Sequence, residues 1–159
     1  MKKIILSVAI LSLFVLACKK KKDDPAPTTT TKTTAQYLTA HTWKTSGAVS
    51  NVPIDADDDS STPNTTDIWG SEDACDKDDV VSFAANGTGT YTDAGITCSS
   101  TTVQNFTWAL SNNVITISFT GGSQTLTIVS VDDNTLKIAL PADTDDNNVS
   151  YIETDTYSK

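Results

Sequence analysis

From Thr42 onward, apolar and polar residues alternate with a period of two and are interrupted at short intervals by turn residues. That is the pattern of half-buried β-strands. It predicts eight strands, at 42–50, 78–84, 88–94, 103–110, 113–119, 123–131, 134–140 and 149–157. Asn86-Gly87, Asn112-Asn113, Gly121-Gly122 and Asp133-Asn134 supply residues that tolerate positive φ where two-residue and bulged hairpin loops need them. Four strands carry one apolar face each: Phe106, Trp108 and Leu110; Ile115, Ile117 and Phe119; Leu126 and Ile128; Leu136, Ile138 and Leu140. Consecutive hairpins with a single apolar face predict an all-β fold, an eight-stranded antiparallel up-and-down barrel, the size at which side chains or one small ligand just fill the interior. The competing two-sheet sandwich would want longer crossovers than these short turns allow. Ahead of the first strand, residues 35–41 predict a short N-terminal helix capped by Thr33 or Thr34, with Tyr37 and Leu38 turned inward.

The chain begins with a different pattern. Lys2 and Lys3 precede an uncharged, mainly apolar run from Ile4 to Ala17, the n-region and h-region of a secretory signal. The run is shorter than the roughly 20 residues a membrane span needs. It ends in Val15-Leu16-Ala17-Cys18, which resembles the lipobox of bacterial lipoproteins. The resemblance implies cleavage before Cys18 and lipidation of its thiol; Val15 stands where leucine is usual. Residues 25–34, rich in Pro and Thr with no aliphatic side chain larger than alanine, read as a tether that could hold a domain up to about 30 Å from a bilayer. The expected organisation is a signal peptide at 1–17, a lipidated tether at 18–34 and a barrel domain at 35–159.

Charge narrows the partners. Once Lys2 and Lys3 are removed, nine lysines face 20 acidic residues, a net charge of −11, and the sequence holds no arginine. Nucleic acid is not an expected partner, because phosphate recognition needs clustered Lys and Arg. The basic cluster Lys19 to Lys22 follows the lipidation site, where each charge would add about 1 kcal/mol of attraction to anionic headgroups. Lys22-Asp23-Asp24 is similar to the short signals that send some Gram-negative lipoproteins to the cell surface; the alternative is a solvated charged tether.

Tyr37-Leu38 leading into His41-Thr42-Trp43, then Cys75-Asp-Lys-Asp-Asp, Phe83, Asn86-Gly87-Thr88, Cys98 and Trp108, resemble the small lipocalin-like lipoproteins of Gram-negative bacteria. His41 stands where related lipocalins have a glycine. The resemblance implies an up-and-down barrel with small apolar ligands as the expected cargo. Its candidate lining residues are Trp43, Phe83, Tyr91, Phe106, Trp108 and Phe119.

Cys75 and Cys98 are the thiols left once Cys18 is lipidated, and in an oxidising compartment such a pair reads as a disulfide, worth roughly 3 kcal/mol in the chain-entropy model. Catalysis finds little to work with. With no arginine and His41 as the sole histidine, beside Trp43, no nucleophile and base arrangement is expected, and the chain reads as a non-enzyme. Carboxylates are abundant, but they are expected in solvated loops rather than on strand faces where burial could raise a pKa. Asp55, Asp57 and Asp59, like Asp143, Asp145 and Asn147, share the alternate spacing of calcium ligands but lack the turn glycine and distal glutamate. They leave a weak calcium site open against a plain acidic surface; no other cofactor is implied. Two readings remain. One is a lipid-anchored outer-membrane carrier of a small, apolar ligand. The other is a structural or adhesive surface protein whose barrel is filled by its own side chains.

Overall fold

The computed structural model describes residues 31–56, 64–98, 100 and 102–159. A short helix, α1 (Thr34–Leu38), leads into β1 (Thr42–Ile54), β2 (Thr65–Asp67), β3 (Val80–Phe83), β4 (Thr88–Thr92), β5 (Val103–Ser111) and β6 (Val114–Phe119). There follow β7 (Gly122–Val131), β8 (Thr135–Ala139), β9 (Asp143–Thr144), β10 (Ser150–Tyr151) and β11 (Glu153–Ser158). Eight of them run in the order β11-β8-β7-β6-β5-β4-β3-β1, and β1 also pairs with β11, so the sheet closes into an antiparallel barrel.

The seam between the first and last barrel strands runs from Lys44 opposite Ser158 to Ser50 opposite Glu153. A bulge between Thr45 and Gly47 interrupts it. A bulge inserts one residue and so exchanges the faces of the strand beyond it. Trp43 is buried before the bulge, whereas Ala48, Ser50 and Ile54 are the buried positions after it. Past the seam β1 continues as a ribbon along which β2 pairs, and β9 and β10 form a separate small hairpin.

All eight expected strands are present. The last is broken: Ser150 and Tyr151 pair with β9, and the barrel strand begins only at Glu153. Local chemistry explains the turns. Gly87, Asn112 and Gly121 have φ of 83°, 56° and 101°, the left-handed region that hairpin corners require. At the Asp133-Asn134 joint the turn is held differently: the Asp132 carboxylate accepts from the backbone N–H groups of Asn134 (2.7 Å) and Thr135 (2.9 Å).

Helix α1 seals one end. Thr33 is its N-cap, with the Gln36 side chain returning the hydrogen bond to the Thr33 N–H, a capping box that satisfies two otherwise orphaned donors. The expected inward pair divides. Leu38 is fully buried, whereas Tyr37 is half-buried with the Lys32 ammonium 5.3 Å from its ring centre. Trp43 is also fully buried and donates its indole N–H to the Leu38 carbonyl at 3.0 Å. Ile115, Ile128 and Leu136 complete the apolar plug. A second, smaller cluster of Ala48, Ile54 and Ile68, flanked by Trp69 and Tyr151, sits where β1 overruns the barrel.

Candidate functional site

The site lies toward the end opposite α1, and it begins with a packing choice on β4. Gly89 pairs with Phe106 across the β4–β5 ladder. A Cβ at Gly89 would come within 2.2 Å of the Phe106 ring and 2.6 Å of the Ser82 carbonyl oxygen. The missing side chain lets the ring lie flat over the strand, packed edge-on to Phe83 with centroids 5.7 Å apart. Above these rings opens an apolar cavity of about 190 Å³, walled among others by Phe83, Phe106, Ile117, Leu126 and Ile138. Phe119, 45% exposed, stands at its mouth.

Beside it is a second chamber, about 240 Å³, of opposite character. Its walls include Trp69 and the side chains of Glu72, Asp76, Glu153 and Asp155. Tyr91 and Tyr157 belong to both cavities. Each tyrosine is tied to a carboxylate: the Tyr157 hydroxyl donates to Asp155 at 3.0 Å, and the Tyr91 hydroxyl donates to the buried Asp79, which also accepts from the Ala94 N–H. Burial, reinforced by these carboxylates, raises both phenols above their ordinary range.

The expectation that the carboxylates sit in solvated loops is overturned here. Glu153 and Asp155 alternate with Thr154 and Thr156 on β11, and Asp155 is opposite Ile138 on β8, so these acids occupy the inward face. Burial, then the hydrogen bond to Asp155 and its charge, push the Glu153 carboxyl up to about 8. Asp155 is raised mainly by burial, while the hydrogen bonds from Glu153 and Tyr157 oppose that rise. The two carboxyls together therefore resist giving up their last proton. Glu72, on the segment crossing this end, is raised by burial and by the nearby Asp76 and Asp155, against the pull of Lys77. Such a group can either keep a proton or exchange it for a cation.

A family model described as a lipocalin-like domain matches residues 39–138. The chain belongs to that family. Among solved structures, a deswapped triple mutant of bovine odorant binding protein is similar at 12% identity and a TM-score of 0.40, covering 75% of this chain and 72% of that one. None of the curated proteins matches the chain. The family match ends before β11, so Glu153 and Asp155 lie outside it.

Within this lipocalin-like domain the six expected lining residues separate. Phe83, Tyr91, Phe106 and Phe119 line the apolar cavity. Trp43 and Trp108 do not: Trp43 belongs to the plug, and the Trp108 indole donates to the carbonyls of Ala84 (3.1 Å) and Thr88 (3.0 Å), bracing the β3–β4 turn. Cys75 and Cys98 are bonded, with Cα atoms 5.3 Å apart. That bond occupies both sulfurs of the Cys75, Asp76 and Cys98 group, whose spacing would otherwise suit a metal. His41 packs against Trp43 with its Nε2 3.9 Å from Asp133.

The two acidic loops meet. The Asp55 N–H donates to Asp145 Oδ2 (3.2 Å), and the Asn147 amide donates to Asp55 Oδ2 (3.3 Å). Asp55 and Asp145 are buried rather than solvated, and Asp145 also accepts from the Val149 N–H at 2.7 Å. They work as loop clasps. Asp57 and Asp59 lie outside the described residues, as do Cys18 and the lysines after it. Among the described residues no helix is long and apolar enough to cross a membrane.

Proposed function

We propose that this lipocalin-like domain is a carrier for a small, largely apolar molecule, held by a lipid on Cys18 at the outer membrane. The apolar cavity carries the reading. Its walls are phenyl rings and branched aliphatic side chains on rigid strands, and a glycine at position 89 makes room for one of the rings. Apolar concavities on a rigid scaffold with a few polar groups at one side are the usual form of small-molecule sites. The anchor rests on the lipobox-like residues 15–18, and the acidic balance favours a small ligand over nucleic acid. On this reading the protein binds and does not catalyse. The rival reading, a self-filled structural or adhesive barrel, draws on the plugged half, where Leu38, Trp43, Ile115 and Leu136 leave no exposed surface.

A hydrophobic fluorescent probe titrated into the full chain separates them. Saturable micromolar binding is expected, lost in Ile138→Trp, whose larger side chain fills the cavity, and kept in Trp108→Ala. A folded wild type that binds no probe would leave the self-filled barrel as the reading. For the anchor, Cys18→Ala is expected to leave the membrane fraction or accumulate as unprocessed precursor. Normal processing and unchanged membrane association would remove the lipid from the account.

A further inference from the structure

We propose that the apolar cavity and its acidic neighbour form one two-part site, and that its ligand is a small amphiphile bearing a cationic amine. The apolar body would rest on Phe83 and Phe106 and the ammonium among Glu72, Glu153 and Asp155. This rests on the carrier reading and names its ligand class.

Size is the first argument. Neither chamber alone reaches the roughly 300 Å³ of ordinary small-molecule sites. They share Tyr91 and Tyr157 as walls, so they lie side by side.

Charge is the second. Burying carboxyl groups is unfavourable unless something compensates them. Among the described residues no ion pair joins Glu72, Glu153 or Asp155 to a basic side chain; the ion pairs present gather at Asp133 instead. The nearby Lys77 holds its ammonium 5.6 Å from the Trp69 ring centre and is not part of the chamber wall. Glu153 and Asp155 are half-buried on a barrel strand. Of the two tyrosine hydroxyls, that of Tyr91 serves Asp79 and that of Tyr157 serves Asp155, so neither is left for Glu72 or Glu153. What faces the space is carboxyl groups and the aromatic surface of Trp69, Tyr91 and Tyr157. Both attract an ammonium group. A carboxylate ligand would meet repulsion, and a purely apolar one would gain nothing from the carboxyls.

Proton linkage follows. The groups facing the pair are Asp143, Glu72 and Asp76 from the crossing segments, with Lys77 behind Glu72, and Tyr91 and Tyr157 from the barrel. An arriving ammonium takes the place of the proton that the Glu153 and Asp155 pair holds, so binding near neutral pH releases a proton and tightens as the pH rises toward 8.

The test is calorimetric titration of the full chain with n-octylamine, n-octanol and octanoate, repeated in buffers of different ionisation enthalpy. The amine is expected to bind at least about ten-fold more tightly than the alcohol, octanoate to bind more weakly than either, and the amine alone to release a proton. In the variant carrying Glu153→Gln and Asp155→Asn, the amine's preference over the alcohol should disappear. Equal binding of amine and alcohol, a preference for octanoate, or an amine preference that survives in the double variant would overturn the proposal and leave the carrier reading standing. Loss of amine binding in millimolar calcium would reassign the acidic chamber to an inorganic cation and also overturn it. Failure of both amine and alcohol to bind would remove the carrier reading itself. The comparison of ligands on the wild type stands even if the double variant does not fold.

Discussion

The two ends of the barrel solve the same packing problem in opposite ways. At the α1 end the strands converge on Leu38, Trp43, Ile115 and Leu136, all fully buried, and the one polar atom of the Trp43 side chain is satisfied by the Leu38 carbonyl. At the other end the same strand ladder turns carboxyls and phenols inward around open space. Sealed apolar packing stabilises in proportion to the area it hides. The acidic end gives up that stabilisation and carries groups that resist burial, which is the usual arrangement at a site that receives something. The difference teaches where to look for function in a barrel whose outline is uniform.

The sharpest way to break this comparison is at the plug. Trp43→Ala should cost about 3 to 5 kcal/mol through the cavity it leaves, and more if the Leu38 carbonyl finds no new donor. Chemical denaturation would measure it beside Phe119→Ala at the exposed mouth, which should cost far less. Equal losses would mean that the two ends are not different in kind.

Between plug and mouth, Gly89→Ala tests whether the cavity depends on that missing side chain. The added methyl meets both the Phe106 ring and the Ser82 carbonyl, so the strand must shift as well as the ring. Overpacking of this sort costs about 1 to 3 kcal/mol, and the displaced ring should also abolish binding of a hydrophobic probe. Unchanged probe affinity with normal stability would show that the ring has another resting place.

The smallest effect is the most specific to the acidic end. The folded chain holds the Glu153 proton up to about 8, against an ordinary value of 4.5. Between those values the folded state carries more protons than the unfolded chain, so this contribution to stability is full below about 4.5 and declines as the pH rises toward 8. Asp155 shifts in the same direction. The exposed Asp132 and Asp133 are lowered by hydrogen bonds and act only at more acid pH. Thermal midpoints across that range should therefore fall with pH in the wild type, and Glu153→Gln should flatten the slope. A midpoint independent of pH in the wild type would show that the pair is ionised at no cost.

The plugged end was largely legible from residue order alone, for a physical reason. Strands such as β6 and β8 alternate Ile115 and Ile117, or Leu136 and Ile138, against Thr and Lys, and a period of two with one apolar face has few other solutions. The acidic end was hidden by the same logic. Glu153, Thr154, Asp155 and Thr156 alternate two kinds of polar residue, so nothing in the local pattern marks an inward face; only the β8 and β1 partners do. The bulge at Thr45 to Gly47 hid more, since positions of one parity lie inside before it and of the other parity after it. Large aromatics suit both pockets and plugs, so residue type alone leaves Trp43 and Trp108 open to either role. Which of the two they serve depends on long-range partners, here the Leu38, Ala84 and Thr88 carbonyls.

The closing seam has a consequence for how the molecule comes into being. β1 and β11 lie near opposite ends of the described chain, yet each completes the other's hydrogen-bond ladder. Contacts so distant in sequence form late and slowly. β11 is also the strand that carries Glu153 and Asp155. Until that strand docks, the barrel has neither a finished wall nor the acidic chamber.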